Sequence, residues 1–576
     1  MDRARGPVLS DLVFGVFATI VAFWLTGGLW PHPDTTALTL NAQDQALNEW
    51  FLANASRLYA GDFHLVTHLM NAPDGINLMC NASEIALGVI MAPVTLAFGA
   101  AVSFAIILTA NLAATAIGWY LLFARTLGLH RFGSAVGALF TAFAPGIMSQ
   151  SNGHIHITAQ WLMPPIVWCV VKLSRITDRY LFRVGRLGVL LGGLIAMHVF
   201  LGEEVLFIGG IALAIFCLVY GALSGRKIKP ALAPLAGGAL VAVVVTSALV
   251  SYPLWIQFHG PMSVPNGVFN GAFFEADLDS FTSLSPQSLA GDPNSSRLVT
   301  GSAEYTSFFG IALVLVALGA TLWMWRRVEV VAAAVTALVM CALSLGPDII
   351  INTQRTTHHG PFKLLNGLPL LDNALPSRFA LAAAVPIALI LASALHVALT
   401  EAQTVRLLVP IMVLAALVPI LPKPLPVMPR PAVPDFFTHG YWRTCVPRNG
   451  VLVPVPLPDG GTISTDTMRW PAAAGDQFAI PQGWFIAPYA AGGKATVGIY
   501  PRDTSQLLDD VIKTGAVPPV GDDQRAKAQA DITYWHASCV VLADTSPNEA
   551  ALKSTLDGLF GPAQRVDDVW TWKVTP

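Results

Sequence analysis

Asp44 stands three residues after Asn41 in the polar stretch 41–51, and among the carboxylates of this chain it is the best placed to take a proton from a hydroxyl as a general base. A plainer reading fits the same residues. Asn41 is a good helix N-cap, and a carboxylate in a first turn suits the helix dipole. Glu49, further along the stretch, offers a second carboxylate for substrate contact. His154 and His156 form a second group. Spaced at i and i+2 they can hydrogen-bond a polar substrate; as metal ligands they lack an obvious third partner, and they also fit as interfacial residues without a chemical task. Glu203 and Glu204 join two apolar runs. Carboxylates at such a junction are costly unless they face water or a partner, so they either line a substrate cavity or simply terminate helices. Arg378, just after Pro376, suits an anionic phosphate, with Lys363 and His359 as weaker candidates; Arg378 also suits a snorkelling anchor.

The elements that must hold these residues are apolar. Hydrophobic residues make up 54% of the 576 and charged residues 12%, with a mean hydropathy of +0.59. A bilayer crossing needs roughly 20 mostly apolar residues, and the runs here are long enough for about eleven crossings. The gaps between runs alternate in sign. Arg3 and Arg5 precede the first run, from about Val8 to Trp30. The loop 31–84 carries Asp34, Asp44, Glu49, Asp62, Asp74 and Glu84 against Arg57. Basic gaps follow at Arg125 and Arg131, at Lys172 to Arg186 (Arg179 included), at Arg226 to Lys229, and at Arg326 and Arg327. By the positive-inside rule these face the cytoplasm, and the acidic gaps face out. The N-terminus is then inside and the C-terminus outside. The run Ile85–Phe98 is short, holds Pro93, and reads as half-buried or re-entrant. Residues 41–59 read as an amphipathic helix lying on the outer membrane surface. No basic cluster with interleaved aromatics suggests nucleic-acid binding.

The predicted organisation is a membrane part, 1–421, followed after a proline-rich linker by an outer α/β domain, 422–576. Strands are expected at 450–456, 496–500, 539–543 and 569–574, and helices at 504–513 and 547–559. Trp442, Trp470, Trp484 and Trp535 suit either stacking on a ligand face or an ordinary core. Cys445 and Cys539 both fall in this domain; on an oxidising side of the membrane a disulfide between them is open.

A short cytoplasmic start, one helix and then an acidic outer loop with an amphipathic helix resemble the GT-C superfamily of polytopic membrane glycosyltransferases. Asn71, Asp74, Gly75 and Asn77, with Gly153 and His154 and the stretch 375–379, resemble an actinobacterial branch of such proteins. The resemblance implies a sugar donor carried on polyprenyl phosphate, a glycan or lipid acceptor of the cell envelope, and chemistry at the outer face of the plasma membrane. In that superfamily the catalytic aspartate lies in the first outer loop. Asp44 is the matching position and Asp34 the runner-up. The substrate-contacting set is then Glu49, His154, His156, Glu203, Glu204, Lys363 and Arg378. The DxD or glutamate-rich second-loop signature of oligosaccharyltransferases is not evident, so the resemblance names no metal ligands and leaves a divalent cation open. A transporter or flippase of lipid-linked glycans is the alternative; it expects internal repeats and broken helices paired across two halves, and no convincing repeat is found.

Overall fold

The computed structural model describes residues 5–82, 84–176, 181–265, 267, 273–368, 370–371, 374–459 and 465–576, without the side chains of 5–8. Arg3 and Arg179, counted above among the basic gaps, lie outside the described residues, as does the side chain of Arg5. Contacts divide the chain into two compact units: Met1–Gly28, Ile106–Ser251 and Phe269–Pro426 form one, and Leu29–Ala105, Tyr252–Val268 and Val427–Pro576 form the other.

The first unit is helical. Among the described residues of the whole chain, four helical stretches are long and apolar enough to cross a bilayer: Ala100–Thr126, Arg131–Gln150, Leu181–His259 and Pro376–Thr400. Five shorter apolar helices accompany them: Leu9–Leu25, Ile85–Phe98, Ile311–Trp323, Val328–Ser344 and Leu408–Ile420. The stretch Leu181–His259 is not one rod. Its backbone leaves helical geometry at Gly202, and a 3-10 turn at Gly225–Ile228 separates the last helix, Lys229–His259. The break falls one residue before the glutamate pair read as an outer turn.

The helix Arg5–Leu25 illustrates how these elements face two environments. Phe14, Ala18, Ala22 and Leu25 recur at the helical period and are buried. Leu9, Leu12, Val13, Val16, Phe17, Ile20, Phe23 and Trp24 are exposed. An apolar stripe of that size turned outward suits hydrocarbon, not water. Small residues set the close seams inside. A Cβ on Gly133 or Gly137 would meet the carbonyl oxygens of Ala392 or Ala388 at 2.8 and 3.0 Å, so the helix Arg131–Phe143 packs backbone-close on Phe379–Thr400.

The second unit joins the loop after the first helix to the C-terminal residues. The strand Thr36–Leu38 pairs antiparallel with Val427–Pro429. A four-stranded mixed sheet runs in the order 564–566, 569–573, 537–543, 451–455, with only the last pair parallel. The helices Asp503–Thr514, Asp522–Trp535 and Glu549–Phe560 belong to the same unit. A disulfide joins Cys445 to Cys539, whose Cα atoms are 5.6 Å apart. Trp50 and Phe51, from the helix Ala42–Ser56, share one core cluster with Phe436, Trp442, Phe478 and Trp535.

One expectation is corrected here and one alternative is decided. The helix Ala42–Ser56 is not a one-sided surface helix: Gln45, Asn48, Glu49 and Asn54 are buried along with its apolar residues. Trp442, Trp470 and Trp535 are 1%, 5% and 0% exposed, so they are core residues with no ring face to offer a ligand.

Candidate active site

In the second unit the site is built on Asp44, in the first turn of the helix Ala42–Ser56. Asn41 caps that helix, its side-chain oxygen accepting the backbone N–H of Asp44 at 3.4 Å. The Nδ2 of Asn41 also donates to Asp44 Oδ2 at 2.6 Å, and the indole Nε1 of Trp484 donates to Oδ1 at 2.5 Å. Each carboxylate oxygen is thus aimed by its own N–H donor, and Asp44 is half-buried. The capping reading is met by Asn41, which also orients the carboxylate.

Glu84 is the second carboxyl of this region. It precedes the helix Ile85–Phe98, is 3% exposed, and holds a left-handed backbone with φ of 41°. Burial pushes its carboxyl well above the usual carboxylate range, and the charge of Asp44 adds to that. Two carboxyls in unlike environments, one with its charged form disfavoured by burial, is an arrangement by which such groups divide acid and base roles.

Glu49 has a different neighbourhood. It is 2% exposed, and its Oε1 accepts from Arg430 Nη2 at 2.7 Å and from Gln45 Nε2 at 2.9 Å. Arg469 Nε lies 3.4 Å from Oε2. Arg430 also donates to the carbonyl of Pro33, and Arg469 to the carbonyls of Asp34 and Pro431. The carboxylate expected to touch substrate is instead the centre of a buried ion-pair network tying the first loop to residues 430–469. Asp34 contributes its backbone to that network.

In the first unit Arg378 organises a second group. It is 8% exposed; its Nη1 donates to Glu204 Oε2 at 2.6 Å and its Nη2 to Glu304 Oε1 at 2.5 Å. Nε reaches both Glu304 oxygens at 3.2 and 3.3 Å. Gln150 Nε2 donates to Glu304 Oε2 at 2.9 Å. The cation expected to stand open for a phosphate is therefore enclosed by two carboxylates. His154 and His156 belong to this group through the backbone: a Cβ on Gly202 would sit 2.3 Å from the carbonyl oxygen of His156, so only glycine lets the break before Glu203 and Glu204 reach the short helix Ile155–Thr158. The two imidazole centroids lie 5.7 Å apart, edge to face. A small pocket beside Arg378 is lined by Glu275, Thr300, Glu304, Thr306, Ser307 and Ser377.

Lys363 sits in a third network of the same unit. The strands Asp348–Ile351 and Gln354–His359 form a hairpin whose tip amides, Asn352 and Thr353, donate to Asp277 at 3.0 and 2.6 Å. Lys363 Nζ lies 2.9 Å from His359 Nε2, and His359 Nδ1 lies 3.0 Å from Asp348 Oδ1. Arg355 bonds both Asp348 and Glu275, and burial pushes the Glu275 carboxyl up against that pairing.

The structure thus joins Glu204 to Arg378, brings the backbone of His156 against the break before Glu203, leaves Lys363 in a separate hairpin network, and puts Asp44 and Glu49 in the other unit. Sequence reading missed Trp484, Glu304, Gln150, Arg430 and Arg469 as partners. Glu304 alone carried a signal, as a carboxylate in a long loop between apolar runs. Among the described residues no group of three or more His, Cys, Asp or Glu is arranged to hold a metal ion.

No protein-family model matches the chain, and no curated protein does. Among solved structures it is similar to the arabinofuranosyltransferase AftD from Mycobacteria, at a TM-score of 0.51 and 14% identity, over 98% of this chain and 40% of that one. It is also similar to the oligosaccharyltransferase of Archaeoglobus fulgidus (TM-score 0.48, 12% identity, 95% of this chain and 71% of that one) and to ArnT from Cupriavidus metallidurans (0.46, 11%, 97% and 97%). These two likenesses are too slight to carry weight. The first shows the fold, which is of the GT-C type; the chain spans about two fifths of the length of AftD.

Proposed function

We propose that this chain, with its GT-C fold, is a membrane glycosyltransferase that moves a sugar from a polyprenyl-phosphate donor to a glycan or lipid acceptor of the cell envelope. The observation that carries the reading is the carboxylate of Asp44, half-buried in the first loop, with Trp484 and Asn41 each holding one of its oxygens. In this reading Asp44 takes the proton of an acceptor hydroxyl. The oxygen so freed bonds to the anomeric carbon, and the bond from that carbon to the donor phosphate oxygen breaks, leaving polyprenyl phosphate with the electron pair. Trp484 and Asn41 hold the base in one orientation, and burial disfavours the charged form of Glu84 near it.

Arg378, Glu204 and Glu304 form a group of their own in the first unit. An anionic phosphate reaches Arg378 by displacing Glu204, the more exposed of its two carboxylates at 23% against 6%. Lys363 supplies the same charge from the hairpin. About eleven crossings, with residues 31–84 and 422–576 on the outer face, complete the proposal. The disulfide between Cys445 and Cys539 supports that side, because such bonds persist in oxidising surroundings.

The test is transfer by the full chain in proteoliposomes given a panel of polyprenyl-phosphate sugars, arabinofuranose first because AftD is named for it. Sugar transfer with stoichiometric release of polyprenyl phosphate is the expected result. A wild type that neither transfers nor hydrolyses any donor, while properly folded, contradicts it.

A further inference from the structure

A rigid turn in the second unit presents an acid with nothing local to explain it. Asn71 Nδ2 donates to the carbonyl of Gly75 at 2.7 Å, and the amide of Gly75 donates back to the carbonyl of Asn71 at 2.7 Å, so the turn is closed at its base. Both ends hold left-handed backbone, with φ of 59° at Asn71 and 82° at Gly75. Asparagine and glycine are the residues that take this backbone most readily, which suits both to the ends of a tight turn. At Gly75 a Cβ would lie 2.7 Å from the carbonyl oxygen of Thr67, so only glycine closes the turn. What the turn carries outward is Asp74, which is exposed.

Two tyrosines far along the chain converge on that carboxylate. Tyr489 donates its hydroxyl to Asp74 Oδ2 at 2.8 Å and accepts from Asn71 Nδ2 at 2.8 Å; Tyr534 donates to the same Oδ2 at 3.1 Å. Both donate to one oxygen. The guanidinium of Arg502 lies 4.1 Å from the Tyr534 ring centroid and is itself held by Asp531 at 2.5 Å. Tyr534 remains 38% exposed, so part of its ring stays open to solvent with the cation on it.

A carboxylate and a phenol ring, both rigid and both exposed, are the two groups that grip a neutral sugar: the acid accepts hydroxyl hydrogens, and the ring takes the apolar C–H face. The negative charge disfavours a phosphate. The cation that would sit on the ring is already supplied by Arg502. We infer that Asp74, Tyr489 and Tyr534 form a saccharide-binding subsite that holds the acceptor glycan away from the transferred sugar. This rests on the transferase reading for its biological use, but not for its binding.

The test uses the full chain in nanodiscs and a linear arabinofuranosyl tetrasaccharide, with binding read by calorimetry and acceptor use by KM. Tyr534→Leu and Asp74→Asn should each weaken binding about tenfold and raise KM for the tetrasaccharide by a similar factor, with kcat unchanged. Tyr534→Phe keeps the ring and should lose less. The monosaccharide glycoside, too short to reach the subsite, should be used equally well by all. Melting temperature controls for folding, and a misfolded variant leaves the other two to decide. Tetrasaccharide binding equal in wild type and folded variants overturns the subsite whether or not transfer occurs. Binding of spermine in place of the tetrasaccharide, lost in Asp74→Asn, also overturns it in favour of a cation site. Binding lost in the variants while the wild type transfers nothing supports the subsite and contradicts the transferase reading.

Discussion

The carboxyl of Glu84 gives the residue scale its sharpest pH dependence. Its folded-state value lies well above the 4.5 of a free glutamate, so the folded chain holds a proton that the unfolded chain releases. Stability from this group is therefore present below pH 4.5 and falls as pH rises toward the folded value. Glu84→Gln should remove about one proton of that dependence. Melting temperature followed from pH 4 to 8 checks this: the wild type should lose stability relative to the variant as pH rises above 4.5, and parallel curves contradict the assignment. Trp484 makes a second prediction. Trp484→Phe keeps the ring and removes the N–H that aims Asp44, so kcat should fall about tenfold with KM for donor unchanged. The place of Asp44 in a helix's first turn was legible in the sequence because Asn41 marks the helix start. Its bond to Trp484 was not, because Trp484 lies 440 residues away and no local pattern joins them.

At the scale of elements, the helix Ala42–Ser56 shows why a local pattern misled. Leu47, Trp50 and Phe51 mark an apolar side, but the opposite side buries Gln45 and Glu49, and Asn48 and Asn54 are buried as well. Those polar groups are tolerable inside because partners arrive from distant chain, Arg430 from 381 residues away. Removing one partner leaves a buried charge alone. Glu49→Ala should therefore cost about 3–5 kcal/mol in stability, and Glu49→Leu combined with apolar replacement of Arg430 and Arg469 should recover much of it. Denaturant titration of the three proteins checks this; an undisturbed Glu49→Ala contradicts the network. The C-terminal strands were more legible. Those at 451–455, 537–543 and 569–573 follow expectations at 450–456, 539–543 and 569–574, because each is a compact apolar run between turn residues. The helix Asp522–Trp535 escaped notice: its buried positions, Ala528, Asp531, Ile532 and Trp535, form too thin a stripe among polar neighbours.

For the whole molecule, charge alternation and apolar length identified a helical membrane-type chain, and the fold of GT-C type agrees. Composition did not reveal that, among the described residues, four stretches carry the length for a crossing while five apolar helices are shorter, since apolar runs do not report where a helix bends or stops. Nor did it reveal that residues 29–105 share a unit with 427–576, which depends on pairing such as Thr36–Leu38 with Val427–Pro429. The proposed orientation predicts that a C-terminal alkaline phosphatase fusion is active and that Cys445 and Cys539 resist thiol labelling until reduced. Replacing both cysteines should cost about 2–5 kcal/mol, as expected for removing a native cross-link. An inactive fusion, with cysteines labelled without reduction, contradicts the orientation.

The central claim is that Asp44 is the base. Its most direct test is the single-turnover rate of sugar transfer by Asp44→Asn in proteoliposomes saturated with donor and acceptor, at matched protein level and melting temperature. Asparagine keeps the shape of the side chain and removes its capacity to take a proton. The rate should fall by about 10²–10⁴, the usual worth of a general base. A rate equal to that of the wild type would contradict the claim.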